Sequence, residues 1–187
     1  MANFSGIITI VVIASLILIL WYFLVILLFY KKITQGEAIV RTGLGGTTIV
    51  FDKGIFVLPL FHNLEKIDLT IKKIDIEKIG PIALICNDKK QVHLKASFFV
   101  RINKTLEDIY SVAQNFGSEH TYKNEEINFF FEAKFTESLK TIAYEFSSEE
   151  LITKRQQFRD MVIKNIGTDH YGYIIDDCTI YDVEIMT

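Results

Sequence analysis

Apolar and polar positions change rhythm three times along this chain. From Gly6 to Tyr30 it reads GIITIVVIASLILILWYFLVILLFY, and no Asp, Glu, Lys, Arg or His occurs before Lys31. An uncharged apolar run longer than about 18 residues reads as a membrane span. This one holds 25 residues. At about 1.5 Å each they exceed a hydrocarbon core of about 30 Å. Gly6 opens the span, Trp21 sits deeper than an interfacial aromatic belt, and Tyr30 falls where such a belt belongs. A cleaved signal peptide needs a basic leader and a small-residue cleavage site. Met1 to Ser5 carries no basic side chain, and Phe29-Tyr30-Lys31-Lys32 offers no cleavage site. The reading is an uncleaved anchor over residues 1–32. Lys31 and Lys32 flank its C-terminal end alone, so the positive-inside rule places the N-terminus outside and the rest of the chain in the cytoplasm.

From Ile33 to Asn103 the period is two. Glu37–Thr42 and Thr47–Phe51 flank Gly43-Leu44-Gly45-Gly46, which is hairpin chemistry. Asp52-Lys53-Gly54 makes a second turn. Ile55, Phe56, Val57 and Leu58 form a continuous apolar strand stopped by Pro59, and Leu60 and Phe61 extend the apolar stretch. Two readings stand for residues 55–61: a buried strand, or a segment dipping into the bilayer surface with Phe56 and Phe61 as wedges. Ile67, Leu69 and Ile71 are followed out of register by Ile74 and Ile76, which predicts one long strand with a bulge at Lys72-Lys73. After an Asn87–Lys90 turn, Val92, Leu94, Ala96, Phe98, Val100 and Ile102 alternate with polar residues as a half-buried strand.

Past Asn103 the period turns helical. Thr105 caps a helix with Ile109, Val112, Ala113 and Phe116 on one face and Gly117 as its stop. A second helix, Tyr122 to Phe146, carries the stripe Ile127, Phe131, Phe135, Leu139, Ile142 and Phe146. Phe129 lies about 140° from that stripe at 100° per residue, which suits a subunit interface or packing on the β region. Ser147 and Glu150 form a capping box for a third helix, with Leu151, Phe158, Val162 and Ile166 buried and Gly167 as its end. From Tyr173 to Met186 the period returns to two, with Tyr181, Val183 and Ile185 on one face. The order predicts an α+β fold: an anchor (1–32), a β-rich part (33–103), and helices with a final strand (104–187).

Composition changes this picture little. All 43 acidic and basic residues follow Tyr30, and the net charge of −3 offers no field for nucleic acid. Cys86 and Cys178 stand alone, as in a reducing compartment. Gly43-x-Gly45-Gly46 leads into a strand, so it lacks the helix N-terminus that a phosphate-binding loop requires. His62, His93, His120 and His170 are scattered without metal-ligand spacing. Asp176, Asp177 and Cys178 are adjacent on a strand and alternate in direction, so they do not converge. No catalytic constellation, metal site or cofactor is implied.

The segments QGEAIVRTGLGGTTIVFDKGIFVLPLFHNLEKIDL, KKQVHLKASFFVRINKTLEDIYSVAQNFG and FEAKFTESLKTIAYEFSSEELITKRQQFRDMVIKNIGTDHYGYIIDD resemble prokaryotic flotillins, within the stomatin/prohibitin/flotillin (SPFH, band 7) superfamily. The resemblance covers almost all of Gln35 to Asp177. It implies a bacterial inner-membrane scaffold rather than an enzyme. It further implies a first subdomain lying on the bilayer, homo-oligomers of ring or cage form, and links to lipid microdomains and to membrane proteases or small membrane partner proteins. An adaptor or regulator of a membrane protease is the alternative function. Family members continue into a long Ala/Glu-rich coiled coil, so a chain stopping at Thr187 is expected to be a truncated piece. Neither cysteine is juxtamembrane, so acylation of the kind used by eukaryotic flotillins is not suggested.

Overall fold

The computed structural model describes residues 2–167 and 170–186. Helix α1, Ala2–Phe29, is followed without a gap by strand β1, Tyr30–Lys31. Tyr30 therefore stands in β1 and not in the helix. The sequence-based bound moves back one residue, because the Tyr30 backbone is engaged in pairing with Phe56. Lys31 likewise has its backbone in β1, which runs antiparallel to β4, Ile55–Phe56.

Strands β2 (Glu37–Gly43), β3 (Thr48–Val50) and β5 (His62–Asp68) form one antiparallel sheet in the order β3-β2-β5. The glycine-rich turn joins β2 to β3 as its chemistry predicts, with Gly43, Gly45 and Gly46 all at positive φ. The expected long strand through Ile76 is broken instead of bulged. Asp68 accepts from the Thr70 backbone at 2.8 Å, an Asx turn that ends β5, and Leu69 donates to Gly36 at 2.7 Å. The chain then enters a second sheet as β6, Lys72–Lys78, leaving Ile71 exposed between them.

In that second sheet β8, Gln91–Ile102, is central. It pairs with β6 and the short β7 (Leu84–Ile85) on one side and with β9 (Tyr173–Ile185) on the other. β8 precedes Asn103 and β9 follows it, so a division at Asn103 runs through a sheet. Two register shifts let β9 follow β8, one leaving Tyr181 unpaired and the other Asp176. The bulge at Tyr181 corrects the simple alternation: Tyr181 is exposed while Val183 is buried.

Four helices cover the inner face of this sheet. α2 (Leu106–Asn115) is capped by Thr105, which accepts from Asp108 N–H, and Ile109 and Val112 are buried. A 3-10 turn at Ser118–Tyr122 precedes α3, Asn124–Ala143, so the second helix is shorter at both ends than the periodicity predicts. Its stripe is buried throughout, and Phe146 stays inside beyond the helix by stacking edge-on against Phe158 at 5.6 Å. The capping box at Ser147 and Glu150 is present. The third helix is two pieces, α4 (Ser148–Thr153) and α5 (Arg155–Ile166), broken at Lys154. Thr153 bonds back to the Glu149 carbonyl at 3.0 Å, which bends a helix at such a place. Phe98 on β8 stacks on Phe135 at 4.3 Å, and Phe135 on Phe131 at 5.3 Å, at the centre of the core.

The turn before β8 is tied to the start of α4. Ser148 donates from its hydroxyl to Asp88 at 2.6 Å and from its backbone at 3.2 Å. The hydroxyl bond holds the Asp88 carboxyl below its ordinary value. A depressed folded-state value means the contribution is present above the unfolded value of about 3.9 and is lost as pH falls through the folded one. Asp88→Asn should therefore lower the melting temperature near pH 7, and the gap to wild type should narrow as the pH falls below about 3.9.

Candidate membrane-docking surface

The surface begins where α1 ends. Val57 N–H donates to the Phe29 carbonyl at 2.9 Å, capping one of the helix's orphan acceptors. The Phe29 and Phe56 rings lie 6.4 Å apart. Gly54 stands under Tyr30; a Cβ there would meet the Tyr30 hydroxyl at 2.0 Å. Arg41 fixes the same strand from below, donating to the Phe56 carbonyl at 3.0 Å and to the Thr48 hydroxyl at 3.1 Å. These contacts join the end of the apolar helix to β4.

The apolar stretch 55–61 divides by side instead of taking one fate. Ile55 and Val57 point inward with Ile39 as a small core of their own. Phe56, Leu58, Leu60 and Phe61 are exposed, Leu60 at 87% and Phe61 at 54%. The extended strand is also shorter than the pattern suggests, since only Ile55 and Phe56 pair. After Pro59 the chain turns tightly, with Phe61 and His62 N–H both donating to the Leu58 carbonyl, at 3.0 and 2.9 Å.

The hairpin tip joins this turn. Leu44 N–H donates to the Phe61 carbonyl at 3.2 Å, and Leu44 itself is 69% exposed. His62 clasps the two loops. Its Nδ1 accepts from Leu58 N–H at 3.1 Å, which leaves Nε2 to donate to the Leu44 carbonyl at 3.1 Å. The scattered position of His62 in the sequence gave no sign of this role, because the clasp is made to backbone groups of two loops. Leu44, also unmarked by periodicity, joins Phe56, Leu58, Leu60 and Phe61 in one exposed apolar set beside the anchor. Monomeric domains seldom leave such a set in water. Lys31, Lys32 and Lys53 are exposed in the adjoining chain, as suits an anionic headgroup layer.

Gly43 makes the approach of the loops feasible. A Cβ there would sit 2.1 Å from the Phe61 carbonyl oxygen, and its φ is 129°. Gly43→Ala should destabilise this corner by about 1–3 kcal/mol, from strain together with the backbone clash. Hydrogen exchange at Leu44 and Phe61 checks it, with faster exchange expected there and little change in β8.

Elsewhere the structure brings the candidate chemical groups into separate places. His93 accepts from Gly80 N–H at 3.1 Å, His120 pairs with Glu126, and His170 Nδ1 lies 2.8 Å from Lys134. Asp176 accepts from Arg101 at 2.7 Å, while Asp177 accepts from Cys178 N–H. Burial pushes the thiols up, to about 11 for Cys86 and about 12 for Cys178, so neither forms a thiolate readily. Among the described residues no cluster of three metal-ligating side chains occurs. Phe129 is 83% exposed on α3 and does not pack on the sheets.

Among the described residues one helix, Gly6–Phe29, is long and apolar enough to cross a membrane, and none of its most apolar window is buried against the domain. Residues 31–186, starting directly after it, match the family described as SPFH domain / Band 7. The chain belongs to the SPFH domain / Band 7 family. Within that family it is flotillin-like and of the prokaryotic kind. It is 31% identical over 140 residues to the flotillin family inner membrane protein YqiK of Escherichia coli, covering 75% of this chain and 25% of that one. It is 24% identical over 180 residues to the flotillin family inner membrane protein sll1021 of Synechocystis, covering 94% and 27%. The chain thus spans about a quarter of the length of these curated relatives. The SPFH match takes in both sheets and all the helices after α1.

Proposed function

We propose that this SPFH chain is the membrane-bound module of a flotillin-like scaffold. α1 crosses a bacterial inner membrane with its N-terminus outside, and the domain lies against the cytoplasmic leaflet. The observation that carries this reading is the β1–β4 pairing directly beneath α1. It supports a reading in which the exposed Phe56, Leu58, Leu60, Phe61 and Leu44 sit at the foot of the span, at the depth of the lipid surface. Copies held flat in this way share one plane, which favours lateral contact. In this reading Phe129 is part of the contact, and rings or cages of subunits enclose and organise a patch of lipid. The names of the two relatives support an inner-membrane location.

Amine-reactive cross-linking of the full chain in its membrane tests the assembly. A ladder of multimers is expected, shortened by Phe129→Glu, which places a charge at a contact that would otherwise be apolar. Monomer alone in the wild type would overturn the scaffold reading.

A further inference from the structure

Lys78 is the last residue of β6 and faces inward. Ile74, Ile76 and Lys78 alternate on the side of the sheet that α3 covers, and Lys78 is only 8% exposed. Other lysines of this strand and its neighbour are paired: Lys72 with Asp68, Lys73 with Asp75, Lys95 with Asp182. Among the described residues nothing accepts from the Lys78 ammonium. The stem of Lys78 is buried while its ammonium reaches the cavity with no carboxylate beside it, an arrangement open to an anion.

The space in front of it is formed. Lys78 lines a cavity of about 350 Å³ with Lys140 of α3, Tyr144 just past its end, Pro81 and Ile82 of the connection from β6 to β7, and Ile85 of β7. No acidic side chain lines it. Lys140 is exposed at the mouth and has no ion-pair partner among the described residues. Ile82 and Ile85 are 57% and 39% exposed, giving an apolar lip. Two ammonium groups offer six N–H donors and no acceptor, and the phenol of Tyr144 adds one more donor. The volume falls at the lower end of ligand sites, which run from about 300 to 1,000 Å³.

We propose that this cavity binds a phosphate or carboxylate group carried on a short apolar moiety. The anion sits between Lys78 and Lys140, and the apolar portion lies on Ile82, Ile85 and Pro81. The site is independent of the docking loops and of the scaffold reading.

The full chain in phosphatidylcholine nanodiscs, titrated calorimetrically with hexyl phosphate, tests the site. Saturable binding is expected. Lys78→Met should weaken it about tenfold or more, as loss of a charge-assisted bond does. Lys140→Gln, a surface change without risk to folding, should weaken it in the same direction. Protection of Lys78 from acetylation separates the sources. Protection by hexyl phosphate alone points to a soluble ligand, and protection also by phosphatidic acid placed in the disc points to a lipid headgroup. No saturable binding, or an affinity untouched by both variants, would overturn the site.

Discussion

Changing Leu60 and Phe61 together to aspartate is expected to lift the domain off the leaflet while leaving it folded and anchored. Leu60 and Phe61 are 87% and 54% exposed in the domain, so they support little internal packing. Moving a leucine or phenylalanine side chain from water into an apolar layer is worth about 1.5–3 kcal/mol. Losing two such transfers and adding two charges shifts the docked fraction by at least about a hundredfold, since every 1.4 kcal/mol is tenfold. A spin label on Leu44→Cys reads this out in reconstituted vesicles. The native thiols do not compete for the label, because both cysteines are buried. The label should be shielded from a water-soluble nickel chelate in the wild-type background and exposed in L60D/F61D. Equal accessibility in both would remove these loops from the membrane surface, and the anchor alone would then hold the domain.

Phe135→Ala is expected to have the largest effect on folding. Phe135 is fully buried and stacks on both Phe98 of the central strand and Phe131 of its own helix. Truncating a buried phenylalanine costs about 3–5 kcal/mol, from lost transfer and from the cavity left behind. That is a large part of a typical stability of about 5–15 kcal/mol. For a domain of this size each kcal/mol moves the melting temperature by about 2–4 °C, so a fall of about 10–15 °C is expected. Near-ultraviolet circular dichroism in mild detergent would follow it. An unchanged melting point would mean that α3 is not seated on β8 as described.

The two variants differ in how legible their residues were. The Phe135 stripe could be read directly, because its period of 3.6 is set by local geometry and its partners are other apolar residues. The same holds for the Thr105 cap, the capping box at Ser147 and the alternation from Val92 to Ile102. The docking loops were half legible. The apolar composition of residues 55–61 was plain, but which side each residue takes depends on Phe56 pairing with Tyr30, a contact set by the end of α1. Short strands of two residues carry no period of their own. The break after Asp68 was hidden because an Asx turn needs one side chain, and Ile67, Leu69 and Ile71 still alternate across it. Ser97 reads as a solvent-facing position yet is buried, since Asp75 accepts its hydroxyl proton. Lys78 reads as the polar end of a strand; only the covering helix makes it an inward group.

The central place of β8 has a consequence for how the molecule is made. Its full-length partner is β9, whose pairing runs from Val92 with Ile185 to Ile102 with Tyr173. β8 leaves the ribosome before β9, and at about 5–20 residues per second the stretch between Ile102 and the end of β9 takes on the order of 4–16 s. During that time one side of a 12-residue strand stays open, with the alternating pattern that invites pairing with a foreign strand. A nascent chain already threaded into lipid by α1 spends this interval confined to a surface. There the loops at residues 44 and 56–61 can settle before the second sheet closes. Completion of the fold therefore comes after delivery to the membrane, and newly made neighbours meet as tethered, nearly finished domains instead of as free open edges in solution.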